Sequence, residues 1–172
     1  YNSMTSRLLV DKIEGKTTSN TVQMPSGSVI QVVNGNYTAV TSSSVTSSSF
    51  TEVNTGIRTS ITPKFSDSKI FIICNMGLRL YNNGGADANG RYRLYDVTGG
   101  AAVSGTESAL RHYDYGNSGH YSAHSVPFNI LMDSWGTTAK TFNYQLKLTT
   151  GTGIGMNDDA FSTSMTLMEI AQ

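Results

Sequence analysis

The densest group of chemically capable side chains runs from Arg111 to His124, where His112, Tyr113, Tyr115, His120 and Tyr121 crowd around Asp114 and a glycine-bearing turn. Flat aromatic rings offer apolar faces to sugar C–H groups, while Tyr hydroxyls, imidazoles and a carboxylate supply oriented hydrogen bonds. Two torsions fix each ring, so little entropy is lost on binding. This is recognition chemistry, and Trp135, alone on its turn, is expected to join it. The competing assignment, that these rings fill the end of the fold or an interface between copies, is at least as strong for any single residue. Tyr81, Tyr92 and Tyr95 are assigned to sheet packing.

Catalysis and metal binding are weaker readings of the same residue types. His120 and His124 form an His-x3-His pair that chelates from a helix, but on a strand the two positions stand about 13 Å apart. His112 and Asp114 share a strand face and suit proton transfer, yet no nucleophile is marked, and there is no acid pair, phosphate loop or nucleophile elbow. No catalytic residue is assigned. Asp87, Asn89, Gly90 and Asp96 fall at the third, fifth, sixth and twelfth positions of a calcium loop, but Gly85 stands where the first carboxylate belongs. Asn89-Gly90 therefore reads as a hairpin turn. Asn157-Asp158-Asp159 is a second acidic cluster at a loop tip, read as solvated. The single cysteine, Cys74, excludes an internal disulfide and reads as a small buried hydrophobe. No metal and no cofactor is expected.

The elements that must position these residues are strands. Ile70, Ile72, Cys74, Met76, Leu78 and Leu80 alternate on one face of a long central strand. Phe142, Tyr144, Leu146 and Leu148 make a second stripe, and Val126, Phe128, Ile130 and Met132 a third, with Pro127 marking an edge or bulge. Further strands are expected near 28–33, 52–61, 91–97 and 165–171. Ser104 and Glu107 have the spacing of a capping box before at most one helical turn. One-sided alternation in six or more strands requires a covering layer, so the fold expected is all-β: a two-layer antiparallel β-sandwich of jelly-roll kind. Residues 1–24 are expected to be a connector and 25–172 the sandwich, and a chain beginning on Tyr1 is expected to be processed or part of something longer. The stretch Thr41 to Ser49, hydroxylated at all but Val45, reads as a solvated loop.

Composition narrows the partners. Twelve basic and twelve acidic side chains cancel, which leaves no broad cationic surface for nucleic acid. The longest uninterrupted apolar run, Ile70 to Cys74, is far short of the ~20 residues a membrane helix needs, so no membrane insertion is expected. Ser and Thr make up 43 of 172 residues against 14% charged ones, so hydroxyls carry the polarity.

Met24-Pro25-Ser26-Gly27-Ser28-Val29-Ile30-Gln31-Val32 resembles the start of a module found at the C-termini of tail-fibre and related virion proteins of bacteriophages, especially those infecting aquatic bacteria. Thr55-Gly56-Ile57 with Ser60-Ile61-Thr62-Pro63, and Ser68-Lys69-Ile70, are similar to its next blocks. Leu131-Met132-Asp133 with Thr137-Thr138-Ala139 and Phe142-Asn143-Tyr144 resembles its penultimate hairpin, and Ser164 to Ile170 its closing strand. Leu9 to Gly15 resembles the connector that precedes it. Trp135-Gly136 departs from the pattern, and nothing in it matches Arg91 to Ser125. The resemblance implies a virion location, a homotrimer, attachment to other virion proteins through the N-terminal segment, and a non-enzymatic module that holds a host-surface glycan or protein by multivalent adhesion. A purely structural virion or capsid-decoration protein with no receptor of its own is the alternative.

Overall fold

A computed structural model describes residues 24–37, 43–84, 87–113, 120–156 and 162–172; of Ser43, His120 and Tyr121 only the backbone is described. The expected connector therefore lies outside the described residues except for Met24.

The alternating stripes become two antiparallel sheets. In the first, β5 (Lys69–Asn82) is flanked on one side by β9 (His120–Met132), which follows it from Ile70↔Met132 to Asn82↔His120. On its other side β12 (Thr163–Ile170) and β11 (Gly153–Met156) share one lane. Outside them lie β1 (Val29–Tyr37) and β2 (Ser43–Val45). In the second sheet β10 (Lys140–Thr150) is central. On one side it carries β3 (Thr51–Glu52) and β4 (Thr59–Ile61), and on the other β6 (Ala88–Asp96), which is edged by β7 (Ala101–Ala102) and β8 (Ser108–His112). Numbering the eight lanes along the chain gives 1-8-3-6 in the first sheet and 2-7-4-5 in the second. All successive lanes but the fourth and fifth cross from sheet to sheet, which makes the sandwich a jelly roll.

The three stripes line the interior as expected. Ile70, Ile72, Cys74, Met76 and Leu80 are fully buried and face Phe142, Tyr144, Leu146 and Leu94 across the core. Val126, Phe128, Ile130 and Met132 pack on this cluster from β9, an edge strand, in keeping with Pro127. Burial pushes the Cys74 thiol up to about 12, against a smaller opposing effect of its hydrogen bond with Tyr144. The Tyr144 hydroxyl donates to the Ser164 carbonyl at 2.8 Å.

Three local expectations fail. Asn89-Gly90 is not a turn; both residues lie inside β6. Gly90 faces inward, where a β-carbon would come within 2.6 Å of Ile154 Cδ1 on the other sheet, so glycine serves sheet-to-sheet contact there. Ser104 to Glu107 starts no helix: residues 104 and 105 form an isolated tight turn closed by the Thr106 N–H on the Val103 carbonyl at 3.3 Å, Thr106 Oγ1 donates to the same carbonyl at 2.7 Å, and the chain continues as strand β8. The one 3₁₀ turn among the described residues is Thr55–Ile57, whose Gly56 N–H is capped by Asn54. The hydroxyl-rich stretch also contributes more than a loop, because β2 pairs with β11 and buries Val45.

The outward faces of the two sheets diverge. Across the first runs an apolar row, Val32↔Met168↔Phe71↔Leu131, with Ile73 beside it. Val32 is 55% exposed, Leu131 54% and Ile73 39%. The second sheet turns out Asn143, Gln145, Lys147, Arg91 and Arg93. Asn143 donates to Glu52 and to the Asn54 carbonyl, and Glu52 also binds Arg58 through both carboxylate oxygens, at 2.6 and 2.7 Å. Arg93 donates twice to Gln145 Oε1 and lies 3.9 Å over the Phe50 ring.

Candidate functional site

The site grows out of the register between β6 and β8. Arg111 pairs with Asn89 and Ala109 with Arg91, so both face outward, and Tyr113 follows on the same side two residues later. The alternate positions, Leu110 and His112, pair with Gly90 and Ala88 and turn between the sheets. Ala109 has almost no side chain, and the gap beside it opens an outward cleft of about 370 Å³. Asp87, Asn89, Arg91, Arg111, Tyr113 and Thr149 line it with Ala109.

Its electrostatics are those of a partly compensated basic site. Arg91 Nη1 donates to Glu107 Oε1 at 2.8 Å, with both side chains half in solvent. That hydrogen bond holds the Glu107 carboxyl below its usual range against the small cost of burial, helped by the charges of Lys147, Arg91 and Arg93. Arg111 is exposed and makes no ion pair or side-chain hydrogen bond among the described residues. Asn89 Nδ2 donates to Thr150 Oγ1 at 2.8 Å, which leaves its carbonyl oxygen for a ligand. Tyr113 is 56% exposed.

The residues predicted for recognition divide. Tyr113 stands at the cleft. His112 does not reach it: the strand alternation turns the ring inward, where Nε2 is buried without a hydrogen-bond partner among the described residues. His120 and Tyr121 open β9 opposite Asn82 and Tyr81, at the same end of the sandwich, and Asp114 and Tyr115 lie outside the described residues. Trp135 is at the other end. It sits on the β9–β10 connection, donates from Nε1 to the Thr138 carbonyl at 2.9 Å, and packs edge-on against Phe142 with 6.0 Å between ring centroids. Lys140, 5.1 Å above the Trp135 ring, is tied to Asp96. Asp96 closes β6, whereas Ala88 opens it opposite His112, so a strand of about 26 Å separates Trp135 from the predicted group.

The same geometry dismantles the calcium loop. Asp87 precedes β6 and Asp96 ends it, about 30 Å away along an extended strand. Asp96 instead accepts from the Gly99 N–H at 2.8 Å and from Lys140 Nζ at 2.6 Å. Asp158 and Asp159 lie outside the described residues, and among the described residues no three His, Cys, Asp or Glu side chains gather as a metal site would require. His120 and His124 do fall on one strand, the geometry in which their spacing fails to chelate. As for the aromatics assigned to packing, Tyr92 lies against Phe128 at 6.3 Å and Tyr81 covers Gly153, while Tyr95 faces outward near Arg93.

Sequence reasoning missed Arg91 and Glu107 as members of the site. Arg91 and Arg93 alternate on one strand, and Arg111 with Tyr113 just past the end of another, so each pair announces a shared face. Only the register joins the two faces.

No family model matches the chain, and no curated protein matches it. Among solved structures it is similar to the Eiger TNF from S. frugiperda, with a TM-score of 0.47 and 6% identity over 82% of this chain and 92% of that one. It is also similar to the D431N mutant VP2 protein of infectious bursal disease virus in T=1 particles, with a TM-score of 0.36 and 11% identity over 94% of this chain and 41% of that one. Likenesses of this degree carry no argument about function, which has to come from the chain's own residues.

Proposed function

We propose that this chain is the head module of a virion fibre, assembled as a homotrimer and attaching the particle to a host surface by multivalent adhesion without catalysis. The observation that carries the reading is the division between the two outward faces. One sheet turns out an uncharged apolar row, suited to burial against other copies, and the other an open polar cleft edged by an exposed tyrosine. A contiguous exposed apolar row, unlike apolar residues scattered singly, is the kind of surface that marks an interaction site. Three rigidly linked heads need only weak individual sites, because the first to engage holds the others at high effective concentration. The resemblance of the Met24 to Val32 block and its downstream partners to phage fibre modules supports the virion location.

Native mass measurement and whole-cell adhesion test the proposal. A species three times 18.5 kDa that retains bacteria on a coated surface is the expected result. A stable monomer that retains none overturns it. A trimer that leaves cells unbound, with particles lacking it falling apart, selects the second reading: a virion part that uses the apolar face for assembly and has no receptor of its own. Shortened polysaccharide chains after incubation would make it an enzyme.

A further inference from the structure

We infer that the cleft between β6 and β8 binds an anionic sugar, with the Arg111 and Arg91 guanidinium groups on its acidic substituent and the Tyr113 ring against its C–H face. This rests on the adhesive reading above and names the ligand chemistry of that site.

Three observations converge. Arg111 is an exposed arginine lining a concave site, and it spends its charge on no described neighbour. Arg91 lies across Ala109 from it and is bound through one Nη only, which leaves donors for a second acceptor. Two guanidinium forks flanking a gap suit a carboxylate or phosphate, because each presents paired donors in the plane such oxyanions accept. The Arg91–Glu107 pair is half exposed, so an incoming anion shares or displaces it at small cost.

The rest of the lining selects a sugar over a bare anion. Tyr113 supplies a flat ring, and the Asn89 carbonyl and Thr149 hydroxyl supply neutral hydrogen bonds of the kind hydroxyls need. At about 370 Å³ the cleft is at the small end of sites that take discrete ligands, so it suits one or two rings of a chain that passes out into solvent. The overall charge is zero, and on this sheet face Arg91, Arg111, Arg93 and Lys147 outnumber two carboxylates, Glu107 on Arg91 and Asp87 in the cleft lining. That is a local anion site and lacks the extended stripe a nucleic acid requires.

The test is an amide chemical-shift titration of the full chain with trigalacturonate, glucose 6-phosphate, neutral maltotriose and inorganic phosphate. The expected result is millimolar binding of one or both acidic sugars, with shifts on β6 and β8 and none from maltotriose. Which acidic sugar binds distinguishes a uronate from a sugar phosphate as the source. Arg111→Gln is expected to weaken binding about tenfold, the loss of one charge-assisted contact. Tyr113→Ala is expected to weaken it about threefold, and Arg58→Gln, on the far lane of the same sheet, to leave it within about twofold. Equal binding of maltotriose, equal binding of inorganic phosphate, shifts that map elsewhere, or indifference to Arg111→Gln overturns the inference. Adhesion assays on the same variants separate the two levels. Adhesion that survives Arg111→Gln removes this site and leaves the fibre reading standing. Acidic-sugar binding by a protein that retains no cells removes the fibre reading and leaves the site.

Discussion

The two outward faces of the sandwich are built on the same period-two alternation and share one core, yet they present opposite chemistry. Across the first sheet Val32, Met168, Phe71 and Leu131 form a row with no charge in it. Across the second, every outward position of β6 and β10 from Asn143 to Arg91 except Tyr95 carries an amide or a charge, and most are already engaged by Glu52, Gln145, Glu107 or the Phe50 ring. Folding demands burial only on the inner faces, so a contiguous apolar row on an outer face is the kind of feature that suits an interface. The difference also separates tasks: a face that must be covered is a poor place for a receptor site, and a face of fixed charges is a poor place for a dry interface.

The strongest way to break the comparison is to remove the frame of the apolar face. Glu169 is fully buried on the inner side of β12, where its carboxylate accepts the Lys64 and Phe65 N–H groups at 2.7 and 3.1 Å and Gln31 Nε2 at 2.6 Å. Glu169→Ala strands those donors and is expected to cost about 3 kcal/mol in urea denaturation, loosening β1 and the loop before β5. Next, if the proposed trimer uses this face, Val32→Asp with Leu131→Asp is expected to raise its dissociation constant at least about thirtyfold by sedimentation equilibrium, with subunit stability changed by under about 1 kcal/mol. The mirror experiment, Arg93→Asp on the other face, is expected to leave the assembly state alone; if it dissociates the trimer while the double variant does not, the faces have been assigned the wrong way round.

The shared interior gives a smaller effect. The Cys74 thiol has its pKa raised from an ordinary 9.0 to about 12, so between these values the unfolded chain has lost a proton that the folded chain keeps. The contribution is whole below pH 9 and is lost as pH rises toward 12, by about 1.4 kcal/mol per pH unit at most. Denaturation at pH 8 and pH 10 is expected to show the decline, and Cys74→Ala is expected to flatten it. The smallest effect lies at the cleft. Arg91→Gln is expected to let the Glu107 pKa climb back toward its ordinary value in a carboxyl NMR titration, with stability unchanged within about 0.5 kcal/mol.

The sequence disclosed the elements whose inward residues repeat without interruption. β5, β10 and β9 each carry four or more alternating apolar residues, and Pro127 marked β9 as an edge. The short strands were hidden, because β2 has only Val45 and β8 only Leu110 as a buried large apolar side chain. Asn89-Gly90 misled because its glycine answers to Ile154 on a strand more than sixty residues away, which no local rule detects. Trp135 was grouped with Tyr113 by residue type, and only strand length separates them. Half of the cleft, Arg111 and Tyr113, lay in the segment singled out for recognition. The other half, Arg91 with Asn89, depends on which residue of β6 meets which residue of β8, a fact set by long-range pairing.

Pro127 has a bearing on how copies can meet. β9 is a thirteen-residue strand with one flank unpaired among the described residues, the kind of strand that invites a neighbour to stitch itself on through main-chain bonds. An imino nitrogen midway along that flank has nothing to offer a newcomer, so a continuous intermolecular ladder would break there. Side-by-side growth into ribbons is thereby discouraged, and association is steered toward closed, countable assemblies.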